Sequence, residues 1–130
     1  MMMKRHNDLK RAILALACSA ALASVPSFAS AQSTSFKEDV YPIIEIRCLS
    51  CHQPGGEGYE ASGFDLRTYE GLMKGTKYGP MVVPGNVMES NLLTMVEGRA
   101  EIHMPLGRGL LSSCERLTFR RWVQQGAQDN

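Results

Sequence analysis

An all-α fold is predicted by three observations in this 130-residue sequence. No segment sustains the apolar-polar alternation of a β-strand. Two Ser-x-x-Glu capping patterns, Ser35-Phe36-Lys37-Glu38 and Ser112-Ser113-Cys114-Glu115, each open a run with helical periodicity. Between them, short helical stretches alternate with glycine-rich and proline-rich loops, as in a small domain of packed helices.

The first helix starts at Ser35 and places Phe36, Val40, Ile43 and Ile44 at helical spacing, an apolar stripe that runs into Cys48. Pro42 lacks an N–H and is expected to kink this helix or shorten its first part. Gln53 to Gly63 holds four glycines and a proline and reads as a loop. Thr68 to Lys74 reads as a short helix stopped by Gly75, Val83-Pro84-Gly85-Asn86 as a turn, and Ser90 to Glu97 as a helix closed by Gly98. Met104-Pro105-Leu106-Gly107 is again a loop, and the last helix runs from Ser112 to Gln125 with Gly126 as its stop. Trp122 on that helix, with Phe119 and Leu117 nearby, reads as a packing anchor against the first helix. There are no internal repeats.

The chemistry is concentrated in Cys48-Leu49-Ser50-Cys51-His52. C-x-x-C-H is the pattern that fastens a haem to a chain covalently. Two thiols three positions apart reach the two vinyl groups along one edge of a porphyrin and form thioethers, while the next residue offers its imidazole to the iron. The competing readings are zinc and a redox-active dithiol. Zinc needs two further ligands, and beyond His52 only His103 and Cys114 remain as donors, with no second paired motif. A thioredoxin-like dithiol follows a strand in a βαβ pattern, which this sequence lacks.

Thioether formation takes place outside the bacterial cytoplasm, so an export signal is required, and residues 1–31 have the form of one. Lys4, Arg5, Lys10 and Arg11 stand against Asp8 alone, and Ala12 to Val25 is apolar and alanine-rich. Pro26 breaks the run, and Ala29-Ser30-Ala31 offers a small-x-small cleavage site with a mature start at Gln32; Ser27-Phe28-Ala29 is the second choice, with a start at Ser30. The apolar run is short for a membrane span, and an uncleaved anchor is the alternative. Cys18 sits midway through the run with Ala15 where a lipid-attachment box has leucine, and is expected to leave with the signal. The expected location is the periplasm, with no stable membrane span after cleavage.

Residues 32–130 number 99, one small domain. Removing four of the fourteen basic and one of the thirteen acidic residues leaves ten against twelve, a net charge of −2. That balance argues against a nucleic-acid partner, which would ask for a basic stripe. With Cys48 and Cys51 consumed by haem, Cys114 has no disulfide partner within the chain, which excludes a disulfide framework. Cys114 itself reads as a small buried hydrophobe in the first helical turn.

The second axial ligand decides whether the iron is a closed electron carrier or an open site. Methionine suits an electron carrier, since its neutral thioether favours ferrous iron. Met73 and Met95 lie within helices and read as core filler, and Met88 as packing at the entry to the Ser90 helix. Met104 lies in a loop between two helices and is followed by Pro105, which stiffens the backbone around it. Met104 is the favoured distal ligand, with His103 and Met81 as alternatives. Leu92, Leu93 and Leu106 are expected to supply its apolar surroundings.

These features make the chain resemble a small monohaem class I cytochrome c: a helix leading into the haem motif, a methionine in a late loop, and a C-terminal helix crossing the first. Asp39-Val40-Tyr41-Pro42-Ile43, Asp65-Leu66, Val83-Pro84-Gly85-Asn86 with Ser90-Asn91-Leu92, His103-Met104-Pro105, and Trp122-Val123-Gln124-Gln125-Gly126-Ala127 are similar to planctomycete-type cytochrome c domains. The resemblance implies one covalent haem c on Cys48 and Cys51, with His52 proximal and Met104 distal as the iron ligands. It also implies electron transfer rather than enzymatic catalysis, as a soluble shuttle or the cytochrome subunit of a redox enzyme, with a dehydrogenase, reductase or oxidase as partner. A haem-based sensor or a peroxidase-like protein would need an open sixth position, and the latter a distal acid-base set that is not evident. Arg47 or Arg67 is expected to pair with a haem propionate. Arg116, Arg120 and Arg121 read as a solvated helix face, with a docking face for an acidic partner as the sharper alternative.

Overall fold

The computed structural model describes residues 32–130; the expected signal segment, its cleavage site and Cys18 lie outside the described residues. Ser35 opens the first helix as its capping pattern predicts, with its Oγ accepting the Glu38 N–H at 3.1 Å. The reciprocal bond comes from Asp39 rather than Glu38: its Oδ2 accepts the Ser35 N–H at 2.8 Å. The acid that closes the box sits one position late because the first turn, α1 (Phe36–Val40), is wound as a π-helix, with the Val40 N–H reaching the Ser35 carbonyl at 3.2 Å. An ordinary α-helix, α2 (Tyr41–Arg47), follows directly with Pro42 in its first turn, where proline's fixed φ suits a helix start. Pro42 therefore marks a change of winding, the form its predicted shortening of the helix takes.

Residues 57–62, read from the sequence as loop, form a helix, α3 (Glu57–Ser62), ended by Gly63 at φ 73°. Glycine content misled there because Gly56 and Gly58 serve close packing, not a turn. Helix α4 (Tyr69–Lys74) is capped by Thr68, whose Oγ1 accepts the Gly71 N–H at 3.0 Å, and stops at Gly75 as predicted. Before α5 (Asn91–Val96), Ser90 makes no cap. Instead its buried Oγ accepts the Val83 N–H at 2.9 Å and donates to the Asn86 carbonyl at 2.7 Å, bracing the 83–86 turn against the helix start. Helix α6 (Ser113–Gln124) opens on a complete capping box: Ser112 N–H donates to Glu115 Oε2 at 2.6 Å, and Glu115 N–H to Ser112 Oγ at 3.2 Å. Among the described residues there are no strands, only an isolated antiparallel bridge between Thr76 and Gly79. No described helix is long and apolar enough to cross a membrane.

The helices close on one core. Phe36, Val40 and Ile44 face Leu93 and Val96 of α5 and Phe119, Trp122 and Val123 of α6, all buried. Trp122 is the anchor expected from the sequence, its ring centroid 5.6 Å from Phe36 and 6.4 Å from Tyr69. Its Nε1 donates to the Gln128 carbonyl at 2.9 Å, so the indole is both packed and hydrogen-bonded. Leu117, its neighbour in sequence, faces outward.

Trp122→Ala should lower the unfolding free energy by about 3–5 kcal/mol, the cost of emptying a large core site, as read from denaturant titration. Glu115 supplies a pH test. Burial pushes its carboxyl up, but the bonds from Ser112 and the charge of Arg47 outweigh that and hold it below the usual carboxylate range. A lowered folded value contributes stability above the unfolded value and loses it as pH falls through the folded one. Glu115→Gln should therefore destabilise the protein at neutral pH, and the difference from wild type should fade as pH falls below the usual carboxylate range.

Candidate functional site

Two tight turns carry the chain out of α2. The Ile44 carbonyl accepts the N–H groups of Cys48 and Leu49, both at 2.9 Å, and the Cys48 carbonyl then accepts those of Cys51 and His52, both at 3.1 Å. The five motif residues thus form a single short coil of backbone, with Cys48 and His52 half-buried and Cys51 exposed. Both thiols are free. Burial pushes the Cys48 thiol up to about 11, against the opposing pull of Arg47, so it stays protonated at neutral pH.

His52 is clamped from two sides. The Phe64 ring stands edge-on to it with centroids 5.5 Å apart. On the other side α3 folds back onto the motif, with the Tyr59 N–H donating to the Cys51 carbonyl at 2.9 Å. Only glycines allow that approach: a Cβ on Gly58 would lie 2.7 Å from His52 Cε1, and one on Gly56 would lie 2.5 Å from the Cys51 carbonyl oxygen. Burial lowers the His52 pKa, with the Phe64 backbone pulling the other way, and keeps the ring neutral. A neutral imidazole has a lone pair to offer a metal. His52 Nδ1 is buried and has no hydrogen-bond partner.

Met104 is half-buried and packs against the same core as Cys48 and Leu49. Its N–H donates to the Met95 carbonyl at 3.1 Å, which seats it on the last turn of α5, and Pro105 after it is buried. Of the alternatives, Met81 is half-buried against the core and His103 is half-buried. Leu92 and Leu93 are buried, but Leu106 is 70% exposed and adds nothing apolar around Met104, because it follows Pro105 outward into the loop. Met88, expected to pack the entry to α5, is 76% exposed; Ser90 braces that entry instead.

Arg67 and Arg120 are engaged by carboxylates, whereas Arg47 Nε is buried without a hydrogen-bond partner. Arg67 grips Asp65 through Nε at 3.0 Å and Nη2 at 2.7 Å, which holds the Asp65 carboxyl below its usual range. Arg47 reaches across to α6 and the loop before it, with Nε 3.9 Å from Glu115 Oε1 and Nη2 donating to the Gly109 carbonyl at 3.5 Å. Arg120 is bound to Glu97, so Arg116, Arg120 and Arg121 do not form one free basic face. Cys114 is exposed, not buried, because the α6 capping box turns its first residues to solvent. Among the described residues no three His, Cys, Asp or Glu side chains converge as a zinc site requires. The sequence reading missed α3 as a wall of the site and Gly58 as the residue that lets it close; the only signal was a cluster of glycines, which turns and close packing share.

Residues 48–105 match the family described as Planctomycete cytochrome C, a span that runs from the first motif cysteine to the proline after Met104. No curated protein and no solved structure matches the chain. The match supports a cytochrome c-like domain over these residues and suggests haem-based electron transfer.

Close packing at the motif gives a direct test. Gly58→Ala should cost about 1–3 kcal/mol in denaturant unfolding, as overpacking against a fixed ring does. Gly109→Ala, with nothing within 4 Å of its added carbon, should stay within about 0.5 kcal/mol of wild type.

Proposed function

We propose that this domain carries one haem c, held by thioethers from Cys48 and Cys51 and ligated by His52 and Met104, and that it works as an exported, periplasmic single-electron carrier. The observation that carries this reading is the motif coil itself. Two free thiols and a neutral, half-buried imidazole with a buried, unpaired nitrogen lie on one short stretch of backbone, which is the donor set a c-type haem takes. A bound haem supplies a one-electron iron couple. The chain supplies the rest. Phe64 and Gly58 hold the His52 ring between two walls, so its orientation is set before any ligand arrives. Met104 offers an uncharged thioether that favours the reduced state. Its backbone bond to Met95 fixes it to a helix end, which limits rearrangement when an electron enters or leaves. Residues 1–31, with their basic start and apolar run, would deliver the chain across the inner membrane before attachment. The partner on this reading is a dehydrogenase, reductase or oxidase that exchanges single electrons.

Mass spectrometry of the exported protein should show a mature mass with one haem added, retained through acid-acetone extraction; Cys51→Ala should retain haem poorly. In the ferric protein the far-red sulfur-to-iron band should vanish in Met104→Ala while the reduction potential falls. A band and potential unchanged by that substitution would place the ligand elsewhere, with Met81 and His103 next to try. Carbon monoxide should bind the ferrous wild type weakly and slowly. Rapid, complete binding at neutral pH would favour the sensor or peroxidase-like reading over the carrier.

A further inference from the structure

We infer that Glu97 is a positioning residue for Met104: its carboxylate, gripped by Arg99 and Arg120, locks the base of the loop that carries the methionine between α5 and α6. This rests on the reading of Met104 as the distal ligand. Glu97 sits immediately after α5 and its side chain is only 10% exposed. It accepts from Arg120 Nε at 2.8 Å on Oε1 and from Arg120 Nη2 and Arg99 Nε, each at 2.7 Å, on Oε2. Exposed ion pairs contribute little to stability. This one differs in three respects: the carboxylate is nearly out of water, the Arg120 fork is bidentate, and two cations share one anion.

Its place in the chain is what links it to Met104. The backbone turns out of α5 at Gly98, at φ 68°, and the Arg99 N–H bonds back to the Thr94 carbonyl at 3.0 Å. The chain returns at Met104, whose N–H bonds to the Met95 carbonyl. Residues 98–104 are therefore a closed excursion that starts and finishes on the last turn of α5. Arg99 ties its outgoing limb to Glu97, and Arg120 ties Glu97 to α6. Leu110 lies over the start of the excursion, with its Cδ1 at 2.9 Å from where a Cβ on Gly98 would stand. Arg120 to Glu97 is the ion pair between α5's end and α6 among the described residues. Removing the charge of Glu97 loosens both arginines at once and leaves Met104 with its backbone bond to Met95 and its packing against the core.

The test uses the haem-loaded protein, with imidazole as a competitor for the sixth position of the ferric iron. Glu97→Gln should bind imidazole about tenfold more tightly than wild type, the effect of losing charge-assisted bonds on the loop that competes with it. It should also weaken the far-red sulfur-to-iron band and lower the reduction potential. Arg120→Lys, which keeps the charge and loses the fork, should fall between the two. Thr68→Ala is the control for general destabilisation: it removes the α4 cap, whose bond goes to Gly71 within that helix, and should leave imidazole affinity unchanged. If Glu97→Gln does not fold, Arg99→Ala removes one bond, leaves the Arg120 fork, and should move affinity the same way by less. The inference is overturned if Glu97→Gln, or Arg99→Ala in its place, takes up imidazole like wild type, or if Thr68→Ala shifts affinity as much. Met104→Ala separates the two levels. A far-red band that survives it removes the distal-ligand reading itself, whereas a band lost there but intact in Glu97→Gln removes only the clamp.

Discussion

The contact between Trp122 and Phe36 is the constraint on which the rest of the domain depends. It joins the first described helix to the last and is reinforced by the chain's own end: Asn130 accepts the Lys37 N–H through its backbone carbonyl at 3.0 Å and the Phe36 N–H through Oδ1 at 2.8 Å. Tyr69, edge-on to both rings, donates to the Ala127 carbonyl at 2.8 Å and brings α4 to the same point. Because α1 runs without a gap into α2, fixing Phe36 fixes the direction from which Cys48 is approached. Because α6 also packs on α5, fixing Trp122 fixes where Met104 is seated. The two halves of the site are far apart in sequence, and this aromatic junction is what relates them.

Much of this was legible in the sequence, for identifiable physical reasons. Capping and stop signals are local: Thr68, Ser112 and Gly75 act on backbone groups a few residues away, so α4 and α6 fall where the pattern places them. The motif is local too, since its spacing alone brings two thiols and an imidazole onto one coil. What was not legible depends on contacts made across the chain. Helix α3 was hidden because glycine is ambiguous: it marks a turn where φ is positive, as at Gly63, and a close approach where a side chain would strike a neighbour, as at Gly58. The exposure of Met88, Leu106 and Cys114 depends on which way each segment faces once folded, and no local pattern encodes that. The Glu97 cluster joins residues from a helix end, a loop and a distant helix, so charge order along the chain gave no sign of it.

Read as a carrier, the domain holds its two axial side chains by different physics. His52 is held sterically, between a ring on one face and glycines on the other, and close packing is short-ranged and insensitive to salt. Met104 packs against the core too, but the loop that carries it is held by one backbone bond and by a carboxylate shared between two arginines, and the latter responds to ionic strength and to the loss of a single charge. The difference suits the two roles. On that reading the proximal imidazole would lie next to the covalent attachment and gain nothing from freedom, whereas the distal ligand would be the one whose strength sets the potential and bars competing molecules. A loop whose base is clamped by charge can be tightened or loosened by changing one residue without disturbing the core. The methionine side is therefore where the properties of this domain are most readily adjusted, and the histidine side is where its fold and its site are the same structure.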